Sequence, residues 1–140
     1  MKTTYEHLLE WLIELNKENR SNFEREALSI PLLDFVMEFG TVKLDIGRAV
    51  GKTQFIKNHA TSNDLILTFG QKQAFEFAKE TKAFVFSNIN DLFEKLKGNS
   101  KIFETIYIDE PYLVFRNIDM CLVLSKLISN TNQTIVILGK

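Results

Sequence analysis

Two prolines, one cysteine and no long apolar run bound what this chain of 140 residues can be. With so little proline and twelve phenylalanines, the sequence predicts a compact core joined by short loops. A lone Cys121 excludes an internal disulfide. Its setting, "MCLVL", predicts a buried helical residue in a reducing compartment, with no basic neighbour in sequence to activate it. No apolar stretch approaches the ~20 residues of a membrane span. The opening "MKTTYEHLLEWL" carries acids within its apolar pattern and lacks the uninterrupted segment of a signal peptide. The expected location is therefore cytoplasmic, in a host cell if the gene is viral, with no membrane partner. A net charge of −1 gives no general basic field for nucleic acid, which leaves only a local patch for that purpose. His7 and His59 have no cysteine or carboxylate cluster at metal-ligand spacing. No Ser–His–Asp arrangement can be read from the residue order, and no repeat, low-complexity tract or linker occurs.

What is present is an ordinary globular mixture, 45% apolar and 25% charged, of a length that suits one compact domain. Tyr5, Leu8, Leu9, Leu12 and Leu15 recur at helical spacing and predict an amphipathic helix over 4–18, with Trp11 as a core or interface anchor. The polar "NKENRSN" predicts a turn. A second helix contains "SIPLLDFVMEFG", with Ser29 as a candidate cap, Pro31 in its first turn and Gly40 past its end. Residues 1–40 thus read as a helical appendage and 41–140 as a core with another rhythm.

From Thr41 onward, strand and helix alternate. Strands are predicted at 41–46, 64–69, 83–87, 105–109 and 134–138. Helices are predicted at 52–60, 71–80, 90–97 and 117–129. This alternation predicts an α/β fold, a three-layer sandwich with a mainly parallel five-stranded sheet. The strands are nearly all apolar rather than alternating, as expected when both faces of such a sheet are covered. Ligands of these sheets bind beyond the carboxyl ends of the strands.

At that position, after the first strand, stands "LDIGRAVGKTQF". A phosphate-binding loop reads G-x-x-x-x-G-K-[ST] between a strand and a helix. Its backbone N–H groups wrap the phosphates and the helix N-terminus adds partial positive charge. Gly51, Lys52 and Thr53 match its end, whereas Ile46 occupies the first glycine's slot. Candidate nucleotide contacts are Gly47, Arg48, Ala49, Val50, Gly51, Lys52, Thr53 and Gln54, with Lys52 on the outer phosphates and the Thr53 hydroxyl on Mg²⁺. The second motif, "TIYIDEP", is an apolar strand ending in two acids. Asp109 suits the Mg²⁺ shell, and Glu110 suits activation of the attacking water. No N-K-x-D guanine signature occurs, so ATP is the expected nucleotide.

On these residues the chain resembles the phosphate-loop ATPases with a catalytic glutamate. It is most similar to the ATPase domain of bacteriophage terminase large subunits and next to the first domain of DNA helicases. "GRAVGKT" resembles the variant terminase loop, "LILTFGQKQAFEFA" the strand and helix that follow it, and "TIYIDEP" the acidic motif. "TIVILGK" is placed like the strand that couples hydrolysis to movement, although Leu138, Gly139 and Lys140 stand where a serine, threonine or asparagine often senses the γ-phosphate. The resemblance covers about residues 41–140. It implies a P-loop NTPase, RecA-like core without the terminase nuclease or a second helicase domain. It also implies Arg48 as an arginine finger within the chain, or else a solvated loop charge. Arg116 is a weaker finger candidate across a subunit interface.

Two functions follow as expectations. One is Mg²⁺-dependent ATP hydrolysis by a phage or mobile-element protein of DNA metabolism or packaging, with DNA, a DNA-processing complex or a second copy as partner. The other is a nucleotide-binding module of little turnover that regulates a partner protein.

Overall fold

Apolar runs that must be covered on both sides set the architecture. In the computed structural model, residues 2–47, 51–98 and 101–140 are described. They form seven α-helices and five strands. In chain order these are α1 (Thr4–Ser21), α2 (Leu32–Phe39), β1 (Thr41–Leu44), α3 (Lys52–His59), β2 (Leu65–Leu67), α4 (Gln71–Glu80), β3 (Phe84–Phe86), α5 (Ile89–Leu96), β4 (Thr105–Asp109), α6 (Pro111–Val114), α7 (Met120–Leu127) and β5 (Thr134–Leu138). The strands make one all-parallel sheet in the order β1-β5-β4-β2-β3.

Side chains alternate across this sheet with period two. Leu65, Leu67, Ile106, Ile108, Ile135 and Ile137 pack on one face with α2, α5 and α7. Ile66, Tyr107, Val136 and Leu138 pack on the other with α1, α3 and α4. All five residues of β5 are buried, which accounts for the unbroken "TIVIL". The fold is thus α/β with helices on both faces. Among the described residues, no helix is long and apolar enough to cross a membrane.

Chain direction positions the site. From β1 through α3 to β2, and through α4 to β3, the chain moves one way across the sheet. From β3 through α5 to β4, and through α7 to β5, it returns. Right-handed crossovers require the two sets of helices to lie on opposite faces. The segments leaving β1 and β4 therefore diverge on either side of β5, the kind of position at which such sheets bind ligands in a crevice.

Several expectations change at the edges of elements. α1 runs to Ser21, through most of the stretch expected to turn. The reason is Arg20, which is 8% exposed. Its Nη1 donates to the carbonyls of Thr131 and Gln133, each at 3.1 Å. Its Nη2 donates to Asn16 Oδ1 and Thr134 Oγ1, each at 3.0 Å. The helix before residue 41 is thereby tied to the start of β5. Tyr5 and Leu9 enter one core cluster, and Phe35 and Val36 of α2 enter the other. Trp11, by contrast, is 60% exposed and is no core anchor. Cys121 is exposed rather than buried, because α7 turns Val123, Leu124 and Leu127 inward. Asp119 caps α7 by accepting from the Cys121 N–H at 2.8 Å, so the helix starts later than its apolar pattern suggests.

Arg20→Met keeps an apolar stem but removes four hydrogen bonds from a charged donor. We expect it to lower the unfolding free energy by about 2–3 kcal/mol in urea denaturation. A loss below about 0.5 kcal/mol would mean that α1 is held by its apolar face alone.

Candidate functional site

The crevice over β5 gathers residues that the sequence keeps far apart. β1 leads into the loop that precedes α3, and Gly51 stands at the N-cap of that helix with φ 102°. A side chain would be strained there. Among the described residues no side chain caps the helix, and its first backbone bond runs from Phe55 N–H to Gly51 O. The N–H groups of Lys52, Thr53 and Gln54 precede that bond and point out of the helix end, where an anion is favoured. Gln54's side chain turns along α3 to Asn58 Oδ1 at 2.8 Å, so only its backbone faces the site. Thr53 is half-buried on the first turn. Gly47 is exposed, and Arg48, Ala49 and Val50 lie outside the described residues.

The second motif arrives from β4. β5 lies between β1 and β4, so the two motifs flank one strand end rather than adjoining each other in the sheet. They nonetheless meet, because Lys52 Nζ forms an ion pair with Glu110 Oε1 across 58 residues of sequence. Asp109 follows Tyr107 on the α3 side of the sheet and is 6% exposed. Its Oδ2 accepts from Thr68 Oγ1 at 3.5 Å, a long contact from the end of β2. Burial pushes the Asp109 carboxyl up to about 6; Lys52 opposes the shift and Glu110 adds to it.

Glu110 is the one non-glycine with positive φ among the described residues (φ 61°, ψ 71°). Such a conformation costs of order 1–3 kcal/mol and persists only where its surroundings enforce it. Here the end of β5 does so. Glu110 N–H donates to Leu138 O at 2.9 Å, and Tyr112 N–H donates to Lys140 O at 2.7 Å. Lys140 N–H donates to Glu110 Oε2 at 3.3 Å. Gly139 lies between, held to β1 by its N–H on Leu44 O at 3.0 Å. A Cβ on Gly139 would fall 2.6–2.8 Å from the Glu110 carboxylate atoms, so the glycine leaves the room that the glutamate occupies. Where the resemblance leads one to expect a polar sensor side chain, Gly139 leaves room for the acid and the Lys140 N–H donates to it.

Arg116 is exposed beyond α6, with its guanidinium 5.5 Å from the centre of the Phe69 ring. It sits on the outer rim and not on Lys52 or Glu110. Two further neighbours of these residues, Tyr5 and Thr68, escape the motif search. Thr68 carries one signal, a hydroxyl at the carboxyl end of an apolar strand. Tyr5 reads only as part of a helical stripe, yet α1 brings its Cδ1 and the Thr3 hydroxyl within 3.8 Å of the position a Gly51 Cβ would take.

Among the described residues, no group of three or more His, Cys, Asp or Glu could hold a metal by itself. One buried carboxylate and one hydroxyl suit Mg²⁺, which usually takes one or two protein oxygens and completes its shell with water and phosphate. No protein family, curated protein or solved structure matches the chain.

The Asp109 shift makes a testable link between site and stability. The folded state holds this proton more tightly than the unfolded one, so the associated stability is complete below pH ~4 and is lost as pH rises through about 6. Asp109→Asn should flatten stability over that window and raise it at pH 7 by about 1–3 kcal/mol. Urea midpoints measured from pH 4 to 7.5 would check this; unchanged pH dependence would show Asp109 to be unperturbed.

Proposed function

We propose that the chain is a Mg²⁺-dependent ATPase of the P-loop type, with a RecA-like core that resembles the ATPase domain of terminase large subunits. The observation that carries the reading is the meeting of Lys52 and Glu110. A lysine at a helix N-terminus and an acid pair at a strand end have no reason to converge in a chance tripeptide and a solvated acidic turn. Convergence over a sheet crevice is what phosphate binding with water activation requires.

In this reading the N–H groups at the start of α3 and the Lys52 ammonium take the β- and γ-phosphates. Thr53 and Asp109 would hold Mg²⁺, which would supply neutralising charge to the phosphate oxygens. ATP draws Lys52 away from Glu110. The freed carboxylate then orients a water and accepts its proton as the water oxygen bonds to the γ-phosphorus. The bond to the β–γ bridging oxygen breaks, giving ADP and inorganic phosphate. Arg48 would add positive charge at the γ-phosphate. By the same resemblance the protein serves phage or mobile-element DNA metabolism or packaging, with DNA, a DNA-processing complex or a second copy as partner.

A second reading has its own observation. Glu110 is already engaged by Lys52, and Gly139 offers no side chain to sense the γ-phosphate. Both suit a nucleotide-binding module of little turnover that regulates a partner protein.

Thermal melting with Mg²⁺ and ATP or ADP separates binding from its absence. Nucleotide at ~100 times its Kd should add about 2.7 kcal/mol of stability. Lys52→Ala should remove the effect, and no shift in wild type at saturating nucleotide would refute the proposal. Glu110→Gln should bind ATP at least as well as wild type, because it no longer competes for Lys52, and should lose hydrolysis. Equal phosphate release by wild type and Glu110→Gln would favour the binding module.

A further inference from the structure

We infer that α1 completes the phosphate site, with the Tyr5 hydroxyl as a hydrogen-bond donor to a phosphate oxygen of the bound nucleotide. The inference rests on the nucleotide reading above and adds to it a residue outside both motifs. Tyr5 is 5% exposed, and its hydroxyl is buried with no hydrogen-bond partner among the described residues. Leaving a buried donor unsatisfied costs about 1–3 kcal/mol, so a phenylalanine would serve the packing better. The ring lies against the uncapped start of α3, with Cδ1 3.8 Å and Cβ 3.9 Å from the position of a Gly51 Cβ. Burial, and then the charges of Asp109, Asp45 and Glu110, push the phenol up to about 12, which keeps it protonated and a donor at neutral pH.

The neighbouring groups make the donor's role specific. Asp109 and Glu110 are committed to Thr68 and Lys52, and neither accepts from Tyr5. The N–H groups of Lys52, Thr53 and Gln54 leave the end of α3 against which the Tyr5 ring packs. An anion seated there meets backbone donors from α3, an ammonium from Lys52 and a hydroxyl from α1. The orphaned hydroxyl is then satisfied in the loaded protein and not in the empty one. Thr3 holds this first turn of α1 in place, its Oγ1 accepting from Glu6 N–H at 3.2 Å.

The test is Tyr5→Phe in the full chain, with melting in the absence of ligand and isothermal titration with Mg·ATP and Mg·ADP. The expected result is a free protein as stable as wild type or more so, with both nucleotides bound about tenfold more weakly. Wild-type affinity in Tyr5→Phe, beside normal binding by wild type, overturns the inference and leaves the nucleotide reading standing. Failure of wild type itself to bind either nucleotide overturns both. As a second measurement, wild type labelled with ¹³C at tyrosine Cζ should show a Tyr5 resonance, assigned by its loss in the variant, that shifts on addition of Mg·ADP. A Tyr5 signal that stays fixed at saturation contradicts the contact.

Discussion

One cation held against two carboxylates is the constraint on which the crevice depends. Lys52 reaches Glu110 directly and opposes the burial of Asp109. Without that ammonium, a buried Asp109 would stand beside a second acid, which disfavours ionisation of both. The pairing also fixes the α3 N-terminus over the ends of β5 and β4. It draws its geometry from the strand order, which inserts β5 between the two motif-bearing strands. Gly139 and Lys140 then hold Glu110 from one side while Lys52 holds it from the other.

The local conformation of Glu110 follows from the same arrangement. A left-handed glutamate before a proline is disfavoured on two counts, by its own Cβ and by the ring that follows. Two backbone hydrogen bonds between the end of β5 and the turn after β4, with a third from Lys140 N–H to the Glu110 carboxylate, compensate. Strain at one acid and a buried carboxyl beside it are each unfavourable in the protein without a ligand.

Much of this was legible in the sequence because both faces of the sheet are buried. "TIYID" and "TIVIL" became strands with the expected limits, since an unbroken apolar run bounded by polar residues has little freedom at its ends. α4 likewise matches its amphipathic pattern from Gln71 to Glu80. Strand order was not legible, because periodicity reports which faces are covered and not which strand lies beside which. The exposure of Cys121 and Trp11 depends on how each helix is rotated about its axis, which apolar neighbours in sequence leave undetermined. Lys52, Asp109 and Glu110 were legible as motif residues, and their meeting is a property of the fold. Tyr5 was hidden because a phenol in a leucine stripe reads as packing. Arg48, with Ala49 and Val50, lies outside the described residues.

On the nucleotide reading proposed above, the Lys52–Glu110 pair stands in the place of a phosphate group. The direct test is a crystal structure of the chain grown with Mg²⁺ and a non-hydrolysable ATP analogue. The expected result is phosphate oxygens at the N-terminus of α3, Lys52 Nζ moved from Glu110 onto them, and Mg²⁺ held by Thr53 and Asp109. A nucleotide bound elsewhere, with Lys52 still paired to Glu110, would contradict it.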